Sequence, residues 1–477
     1  MQHCTADITV QSDQFDLLVR EIPYREPLAA FAPWAGDPLS ALLHSAAEAG
    51  GRGRFTYAAV EPFRAIEATD GRVTVDGRPV EGDPFAVLER EIAPFVLPPD
   101  LAPVPFPTGA VGFLGYELGR VLERLPARHG NDLGIPDMVF GLYDVVLAFD
   151  MAERRAWILS SGFPEHDPAA RRARADARAR AVAARLTDAP ADLPSPPHAA
   201  VSWRPELSRE TYMARVAQVL EYIRAGDIFQ ANFTGRMLAP RPEGVTAFDI
   251  FRRLTGLSPA PFAAYLACGE RLSLASASPE RFLKLTADGR IETRPIKGTR
   301  PRGATPEEDA ALAADLFASV KDRAENLMIT DLLRNDIGRV SRIGSVRVPA
   351  LCQVETFASV HHLVSVIEGR LRLGLGPVDL LRATFPGGSI TGAPKIRAME
   401  IIDELEESRR GPYCGSVAWI GFDGSMDSSI VIRTLAVTPD HVVAQAGGGI
   451  VADSDPGKEH DEMMVKIAPL LRALGEG

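Results

Sequence analysis

Short apolar runs separated by turn residues constrain the N-terminal part of this chain more than any other feature. Two of these runs, 138–149 and 156–162, are rich in β-branched and aromatic residues, and Pro and Gly interrupt much of the remaining sequence up to about residue 160. No run approaches the roughly 18 consecutive apolar residues that a membrane-spanning helix needs. The pattern predicts sheets of short strands joined by turns.

A proline-rich segment divides the chain into two parts. Residues 168–186 have an Ala/Arg-rich helical pattern, and the prolines of 188–201 suit an exposed connector. We therefore predict an N-terminal unit at 10–165, a helix and connector at 166–205, and a second unit at 206–474. In the second unit strand and helix patterns follow one another in mixed order, which favours an α+β fold over a regular βαβ winding.

Composition and charge exclude several classes of protein. The chain has 477 residues, 52 basic and 63 acidic, and a net charge of −11, so a broad cationic surface for nucleic acid is not expected. Its four cysteines are scattered without a CxxC pair, which argues against a zinc ribbon or a disulfide framework and fits a reducing compartment. The first residues lack the apolar core of a signal peptide. These features predict a cytoplasmic protein with no nucleic-acid or membrane partner.

Two helical segments carry acidic residues at helical spacing. Asp322 and Glu325 are three residues apart in one segment, and Glu459, Glu462 and Lys466 line one face of the other. Two carboxylates from two helices could hold a hard divalent cation, most simply Mg²⁺. The alternative is a pair of solvated helix faces with an ion pair between Glu462 and Lys466, and spacing alone favours it.

Two glycine-rich segments could approach an anion. The segment QAGGGIV (445–451) closes a predicted strand, and its glycines let backbone N–H groups come close to a ligand. A tight turn is the alternative. The segment FPGGSITGAPKIRAMEII (385–402) begins a predicted helix behind Ser389 and Thr391, whose hydroxyls would meet an anion docked at the free N–H groups. An ordinary helix start is the alternative here.

Lys297 follows a predicted strand and has arginines nearby at 294, 300 and 302. A lysine is nucleophilic only when deprotonated, and burial or neighbouring cations would lower its pKa. The alternative is a surface lysine whose stem lies along the protein. The adjacent histidines 361 and 362 lie on a strand pattern and must point to opposite faces, so at most one enters any site.

Seven sequence blocks resemble, in order, those of the chorismate-utilising enzyme family. The resemblance covers about residues 206–472, and the leader segment 33–57 is similar to the N-terminal domain of the family members that use ammonia. It implies an α+β fold, with sheets forming a β-sandwich core and helices outside, and a chorismate-binding catalytic domain at 206–474. The blocks are SASPERF (276–282), RPIKGTRPRG (294–303), ENLMITDLLRND (325–336), HHLVS (361–365), GGSITGAPKIRAMEII (387–402), SSIVIRT (428–434) and QAGGGIVADSDP (445–456).

The resemblance assigns roles to individual residues. Glu325 and Glu462 match the carboxylates that hold Mg²⁺, with Asp322 and Glu459 beside them. His362 matches an active-site histidine, and Glu280 matches the general acid toward the departing hydroxyl. The residues that match or adjoin the substrate-binding positions are Ser389, Thr391, Arg433, Gly447, Gly448, Gly449 and Lys466.

Two positions separate the branches of this family. Members that aminate chorismate at C2 resemble PIAGT, whereas this chain has PIKGT, in which Lys297 matches a covalent nucleophile that adds to C2 and so directs ammonia to C4. Members that add water carry a lysine where this chain has Gln230, so the base for water attack is missing. The resemblance thus implies amination at C4. Amination at C2, or chorismate binding without catalysis, is the alternative.

Two further expectations concern ligands and partners. The matching segments imply a site for tryptophan near Leu43, Ser45 and Pro259, although SPAPF (258–262) and LLHS (42–45) depart from the pattern of feedback-inhibited members. No cysteine lies in the GxCxG turn of a glutaminase. Ammonia must therefore come from solution or from a separate glutaminase subunit, as in a heterodimer.

Overall fold

The structure, a computed structural model, describes residues 7–11, 16–47, 53–357 and 360–475. Within them the strands are Asp7–Gln11 (β1), Asp16–Ile22 (β2), Ala41–His44 (β3), Phe55–Ala59 (β4), Arg64–Thr69 (β5), Arg72–Val75 (β6), Arg78–Val80 (β7), Gly109–Leu114 (β8), Met138–Tyr143 (β9), Val145–Asp150 (β10), Arg155–Ser160 (β11), Arg204–Pro205 (β12), Gln230–Pro240 (β13), Phe262–Ala267 (β14), Ser273–Ser278 (β15), Arg281–Leu285 (β16), Arg290–Thr293 (β17), Ile296–Pro301 (β18), Arg347–Thr356 (β19), Val360–Arg370 (β20), Gly392–Ala393 (β21), Ser416–Gly421 (β22), Met426–Ile430 (β23), Thr434–Val437 (β24) and His441–Ile450 (β25).

The α-helices lie mostly in the second half of the chain. They are Pro27–Phe31 (α1), Pro84–Ile92 (α2), Gly119–Leu122 (α3), Pro168–Leu186 (α4), Arg209–Ala225 (α5), Ala247–Leu257 (α6), Pro306–Ala318 (α7), Val320–Gly338 (α8), Pro377–Thr384 (α9), Lys395–Leu405 (α10) and Pro456–Leu474 (α11). In the described ranges no helix combines the length and the apolar character needed to cross a membrane.

The strands form two large sheets, each of which takes strands from both halves of the chain. The first sheet has the order β1-β2-β11-β10-β4-β3-β14-β15-β24-β25-β13-β12, with β21 beside β13. The second has the order β18-β20-β17-β16-β23-β22-β8-β9-β5-β6-β7, with β19 beside β20. Antiparallel pairing of β3 with β14 and of β8 with β22 joins the two halves. The units predicted at 10–165 and 206–474 thus share both sheets, and the division between them stays a prediction.

One hydrophobic core lies between the sheets and another lies between the first sheet and its helices. Along β10, Val146 and Ala148 point into the first core, whereas Val145, Leu147 and Phe149 belong to the second. A strand that is buried on both faces has apolar residues at successive positions, which explains the nearly continuous apolar run at 138–149. The predicted α+β fold with a β-sandwich core and outer helices is confirmed.

Candidate active site

Glu280 and Arg433 lie where the chain crosses from one sheet to the other. Glu280 lies between β15 of the first sheet and β16 of the second, and Arg433 lies between β23 of the second and β24 of the first. The N–H of Ile430 donates to the carbonyl of Glu280 and the N–H of Ala277 donates to that of Arg433, both at 3.0 Å. The two crossings are therefore held side by side.

Glu280 is only 9% exposed, and its carboxyl group forms a hydrogen bond with Ser389. Burial raises the pKa of Glu280. The hydrogen bond with Ser389 and the positive charges of Lys297 and Lys466 lower it by less, so the pKa stays above its usual value. A carboxyl group with a raised pKa holds its proton at higher pH, as a general acid must.

Lys297 lies in β18, and its ammonium group is close to four charges contributed by three other parts of the chain: the β15–β16 crossing, α8 and α11. Burial is the main cause that lowers the pKa of Lys297, and Lys466 adds to it, whereas Glu325, Glu280 and Glu462 oppose it. Lys297 is therefore a half-buried amine among carboxylates, which favours a site lysine over one that lies on the open surface.

The cation that lowers the pKa of Lys297 differs from those suggested by the sequence. Arg294 pairs with Glu355, while Arg300 and Arg302 form salt bridges of 2.7 Å with Asp315 and Asp309. These carboxylates neutralise the three arginines, so the expectation that they act on Lys297 is wrong. The effective cation, Lys466, comes from α11, far along the chain.

Gly298 lets two helices lie directly on the strand that carries Lys297. It has φ of +75° and lies at an irregularity in the pairing of β18 with β20. A Cβ atom at this position would stand 2.8 Å from Leu316 of α7 and 2.9 Å from Asp322 of α8. The absence of a side chain at Gly298 therefore allows α8 to bring Glu325 beside Lys297.

Glu325 of α8 and Glu462 of α11 approach Lys297 from two helices, as the sequence predicted for a cation site. Burial raises the pKa of Glu325, and the negative charges of Asp322 and Glu459 add to this effect. Burial would also raise the pKa of Glu462, but the charge and hydrogen bond of Lys466 outweigh it and lower the pKa. Glu462 therefore forms the ion pair with Lys466, at 2.7 Å, and approaches Lys297 together with Glu325. The ion pair and the convergence of the two glutamates are both present.

A hard cation that keeps part of its water needs only one or two carboxylates from the protein. The point where a Cβ of Gly448 would stand is 3.4 Å from Glu459 Oε2 and 4.0 Å from Glu462 Oε1. In the part of the chain that the structure describes, no group of three or more His, Cys, Asp or Glu residues is arranged to hold a metal ion. Two glutamates with open positions left for water and substrate are a common arrangement for Mg²⁺.

The glycines 447–449 lie within β25 and not in a turn. This strand continues to Ile450 and pairs with β13 throughout the glycine stretch, whereas β24 pairs with it only at 442–444. Beyond Ala444, every second N–H group of β25 therefore points away from β13. On that side of β25, no strand of the described ranges pairs with it. Extended backbone, rather than a tight turn, presents these amides, and their contact with an anion stays a prediction.

Gly448 and Gly447 have different surroundings. A Cβ at Gly448 would stand 3.4 Å from Lys466 Nζ, in the space shared with Glu459 and Glu462. A Cβ at Gly447 would collide with the carbonyl oxygen of Phe233 at 2.2 Å. Lys466 Nζ also donates to the Gly447 carbonyl at 2.9 Å, which fixes α11 on the glycine strand. Of the two, only Gly448 faces the candidate site.

Ser389 and Thr391 have different surroundings in the same loop. Ser389 reaches Glu280 through the hydrogen bond described above. Thr391 is fully buried, its Oγ1 donates to the Gly387 carbonyl at 3.1 Å, and its own carbonyl accepts from the Asn232 N–H at 2.8 Å. Thr391 thus holds the loop in place, and its contact with a substrate stays a prediction.

The two histidines make separate contacts. His361 is buried and forms hydrogen bonds of 2.9 Å with Asp309 and Thr356. His362 forms one of 2.9 Å with Thr299, two residues after Lys297. The structure therefore places His362 beside the lysine strand, and its catalytic role stays a prediction.

Arg433 provides positive charge at the second crossing. Burial lowers the pKa of Arg433, and its backbone has φ of +52°. Within the described ranges no carboxylate forms a salt bridge with it, so its guanidinium charge is available to an anionic ligand.

Sequence reasoning missed two polar residues near the site, Thr299 and Asn326. Thr299 binds His362, and Asn326 is fully buried on α8. A usable signal existed for Asn326, because it belongs to the buried helical repeat 326, 329, 330, 333 and 337, which is otherwise largely apolar.

A separate cavity of about 180 Å³ lies at the other region singled out by the sequence. Leu43 and Ser45 line it, together with the aromatic side chains of Phe55, Tyr57 and Trp419. Of the two prolines in the segment 258–262, Pro261 lines the cavity, and Pro259 is not among the lining residues of the described chain.

Comparison with known proteins identifies the family of the chain. A family model described as chorismate binding enzyme matches residues 42–472. Aminodeoxychorismate synthase component 1 of Klebsiella aerogenes is 45% identical over 95% of this chain and 98% of that protein. Anthranilate synthase component 1 of Thermus thermophilus is 42% identical over 95% of this chain and 97% of that protein.

A solved structure shows the same fold. The crystal structure of anthranilate synthase component I from Streptococcus pneumoniae superposes with a TM-score of 0.78 at 32% identity, covering 88% of this chain and 92% of that one. The resemblance inferred from the seven blocks is therefore confirmed, and the chain belongs to the chorismate-binding enzyme family.

Proposed function

We propose that the chain catalyses the reaction of an aminodeoxychorismate synthase component 1, which converts chorismate and ammonia to 4-amino-4-deoxychorismate for p-aminobenzoate and folate synthesis. The observation that carries the proposal is the position of Lys297, a half-buried amine beside Glu280 and Glu325. Relatives of that name are 42–45% identical to this chain over at least 93% of its length.

The substrate is a dianion, and the site supplies separate positive groups for it. Arg433 and Lys466 suit its two carboxylates, together with the amides at the open edge of β25. Glu325 and Glu462 would hold Mg²⁺, which when bound supplies positive charge for the ring carboxylate. This distribution explains how an acidic protein can bind an acidic substrate.

The chemistry that the residues support proceeds in two displacements. The Lys297 amine bonds to C2 of chorismate and loses a proton, both conjugated ring double bonds shift by one position, and the C4–O bond breaks as Glu280 protonates the hydroxyl, which leaves as water. Ammonia then bonds to C4, the C2–N bond breaks, and Lys297 returns as a free amine. The sum is chorismate plus ammonia giving 4-amino-4-deoxychorismate plus water.

A separate subunit or free ammonia must supply the nucleophile. Burial raises the pKa of Cys268, and it raises the pKa of Cys414 to about 12, so neither thiol is suited to attack glutamine. Several of the similar proteins are named as component 1. These facts support a heterodimer with a glutaminase subunit.

The test is the identity of the aminated product. Purified protein is incubated with chorismate, Mg²⁺ and ammonium, with and without an aminodeoxychorismate lyase. We expect p-aminobenzoate only when the lyase is present. Anthranilate formed without lyase would establish the alternative, an anthranilate synthase component 1, and chorismate binding without turnover would establish a non-catalytic relative.

We also propose that the cavity lined by Leu43 and Ser45 binds tryptophan. The aromatic side chains of Phe55, Tyr57 and Trp419 supply apolar walls, while Arg281 and Asp427, joined to each other by a salt bridge of 2.9 Å, supply polar groups at the same cavity. Calorimetric titration with tryptophan tests this, and phenylalanine is the control for selectivity. Absence of heat with tryptophan would remove the assignment.

A further inference from the structure

Asn326, the residue after Glu325, is buried between α8 and the second sheet. Its Nδ2 donates to the carbonyl of Leu363 at 3.1 Å. Its Oδ1 accepts from Ser365 Oγ and, at 3.5 Å, from Cys352 Sγ. One fully buried amide thus links α8 to both β19 and β20.

Leu363 is the residue of β20 that stands opposite Lys297 in β18. A short path therefore runs from Glu325 through its neighbour Asn326 to Leu363 and across the strand pair to Lys297. Consecutive side chains of a helix leave its axis about 100° apart. When Asn326 is fixed on the sheet, the direction of Glu325 is fixed as well.

The other buried contacts of α8 cannot set this direction so closely. Ile329, Leu333 and Ile337 are apolar, and apolar packing is non-directional. The salt bridge of Asp336 with Lys395, 2.6 Å long, anchors the far end of the helix. Hydrogen bonds, in contrast, weaken steeply when their geometry changes. Asp322 also contacts Arg300 of β18, but this ion pair is longer, at 3.4 Å, and partly exposed. Asn326 is the buried directional anchor next to Glu325.

We propose that Asn326 is a positioning residue that holds Glu325 against Lys297 by tying α8 to β20. The proposal rests on the function proposed above for its effect on turnover, because Glu325 and Lys297 have their roles there. It also predicts a property of the protein without substrate. Because α8 covers β18 at Gly298, release of α8 exposes Lys297 to solvent reagents.

The test compares Asn326→Leu, which keeps the approximate size but removes every hydrogen bond, with Ile329→Ala, which removes buried apolar contact from the same helix. Both variants are measured at a temperature where thermal unfolding curves show them folded. We expect Asn326→Leu to lower kcat about 100-fold, because a misplacement of about 1 Å costs that much. Ile329→Ala should stay within about threefold of wild type, since it leaves the hydrogen bonds of the amide in place.

The second readout needs no turnover. Lys297 is acetylated with N-hydroxysuccinimidyl acetate in the absence of substrate, and its rate is followed by peptide mass spectrometry. We expect labelling of Lys297 to be about tenfold faster in Asn326→Leu than in Ile329→Ala, because local opening of α8 exposes the amine. Equal labelling rates and equal kcat in the two variants would overturn the proposal.

Two outcomes separate this proposal from the proposed function. If wild-type protein makes no C4-aminated product, the function fails, and the labelling comparison still decides the role of Asn326. If Asn326→Leu does not fold, Ser365→Ala removes one donor to the same amide and is compared with Ile329→Ala by both readouts. A smaller change in the same direction supports the proposal, and values equal to the control overturn it.

Discussion

The Lys297 ammonium and the Glu325 carboxylate lie close enough that each shifts the pKa of the other. Among the charges around Lys297, the charge of Glu325 raises the pKa of Lys297 most. The charge of Lys297 in turn offsets part of the rise that burial causes in the pKa of Glu325. The lysine belongs to an edge of the second sheet and the glutamate belongs to a helix laid over it. The candidate nucleophile and a candidate Mg²⁺ ligand are therefore positioned by one packing contact, which Gly298 permits.

Replacement of Glu280 by Gln should remove the proton donor while keeping the shape of the site. We expect kcat to fall about 100-fold or more, as is usual for loss of a general acid. Chorismate affinity, measured by calorimetry, should change little, because in the proposed reaction Glu280 acts on the departing hydroxyl and not on a substrate carboxylate. A variant that keeps most of its kcat would show that another group donates the proton.

Gly448 and Gly447 provide a matched pair of substitutions on one strand. Gly448→Val should fold with a melting temperature near that of wild type but lose chorismate binding, because its side chain enters the space beside Lys466 and Glu459. Gly447→Ala should instead lower the free energy of unfolding by about 1–3 kcal/mol, through overlap with backbone. Thermal unfolding and chorismate titration of both variants check this, and equal behaviour would contradict the assignment of Gly448 to the site.

Removal of Mg²⁺ by chelation should abolish turnover, and adding the ion back should restore it. In Glu325→Gln and Glu462→Gln we expect the Mg²⁺ concentration for half-maximal rate to rise at least about tenfold, because each loses a charged oxygen ligand. Glu307→Gln, on the surface of α7, is the control. Full activity in excess chelator would exclude the metal site.

His44 makes the stability of the protein depend on pH. Burial lowers the pKa of His44 to about 4, whereas an exposed histidine titrates near about 6.5. Between these values the unfolded chain binds the additional proton, so the free energy of unfolding falls as pH is lowered, by about 2 kcal/mol at pH 5. Urea denaturation at pH 7.5 and pH 5 should show this loss in wild type and a smaller loss in His44→Leu. Equal losses would contradict it.

Local patterns in the sequence predicted much of the fold and part of the site. The run 138–149 indicates strands because both faces of β10 are buried. The spacing of Asp322 with Glu325, and of Glu459 with Glu462, indicates two helices that present acids. Resemblance to a family then supplied the roles that spacing left open. Lys297 was noticed as a strand-end lysine, but only the resemblance made it a nucleophile.

Contacts between distant parts of the chain could not be predicted from local sequence. The cation beside Lys297 is Lys466 and not a neighbouring arginine, because α11 packs on β25 near β18 in space. For the glycines 447–449 the sequence leaves a tight turn open as an alternative, but they lie within β25, where their lack of side chains accommodates Phe233, Lys466 and Gln230. Such choices depend on tertiary packing, which a residue pattern does not contain.

The most direct measurement of the central claim is the mass of the peptide that contains Lys297 after reaction with chorismate and Mg²⁺ in ammonia-free buffer. We predict that this peptide gains the mass of chorismate less one water, and that ammonium discharges the adduct as the C4-aminated product. A Lys297 peptide of unchanged mass, together with a Lys297→Ala variant that aminates chorismate at the wild-type rate, would contradict the account.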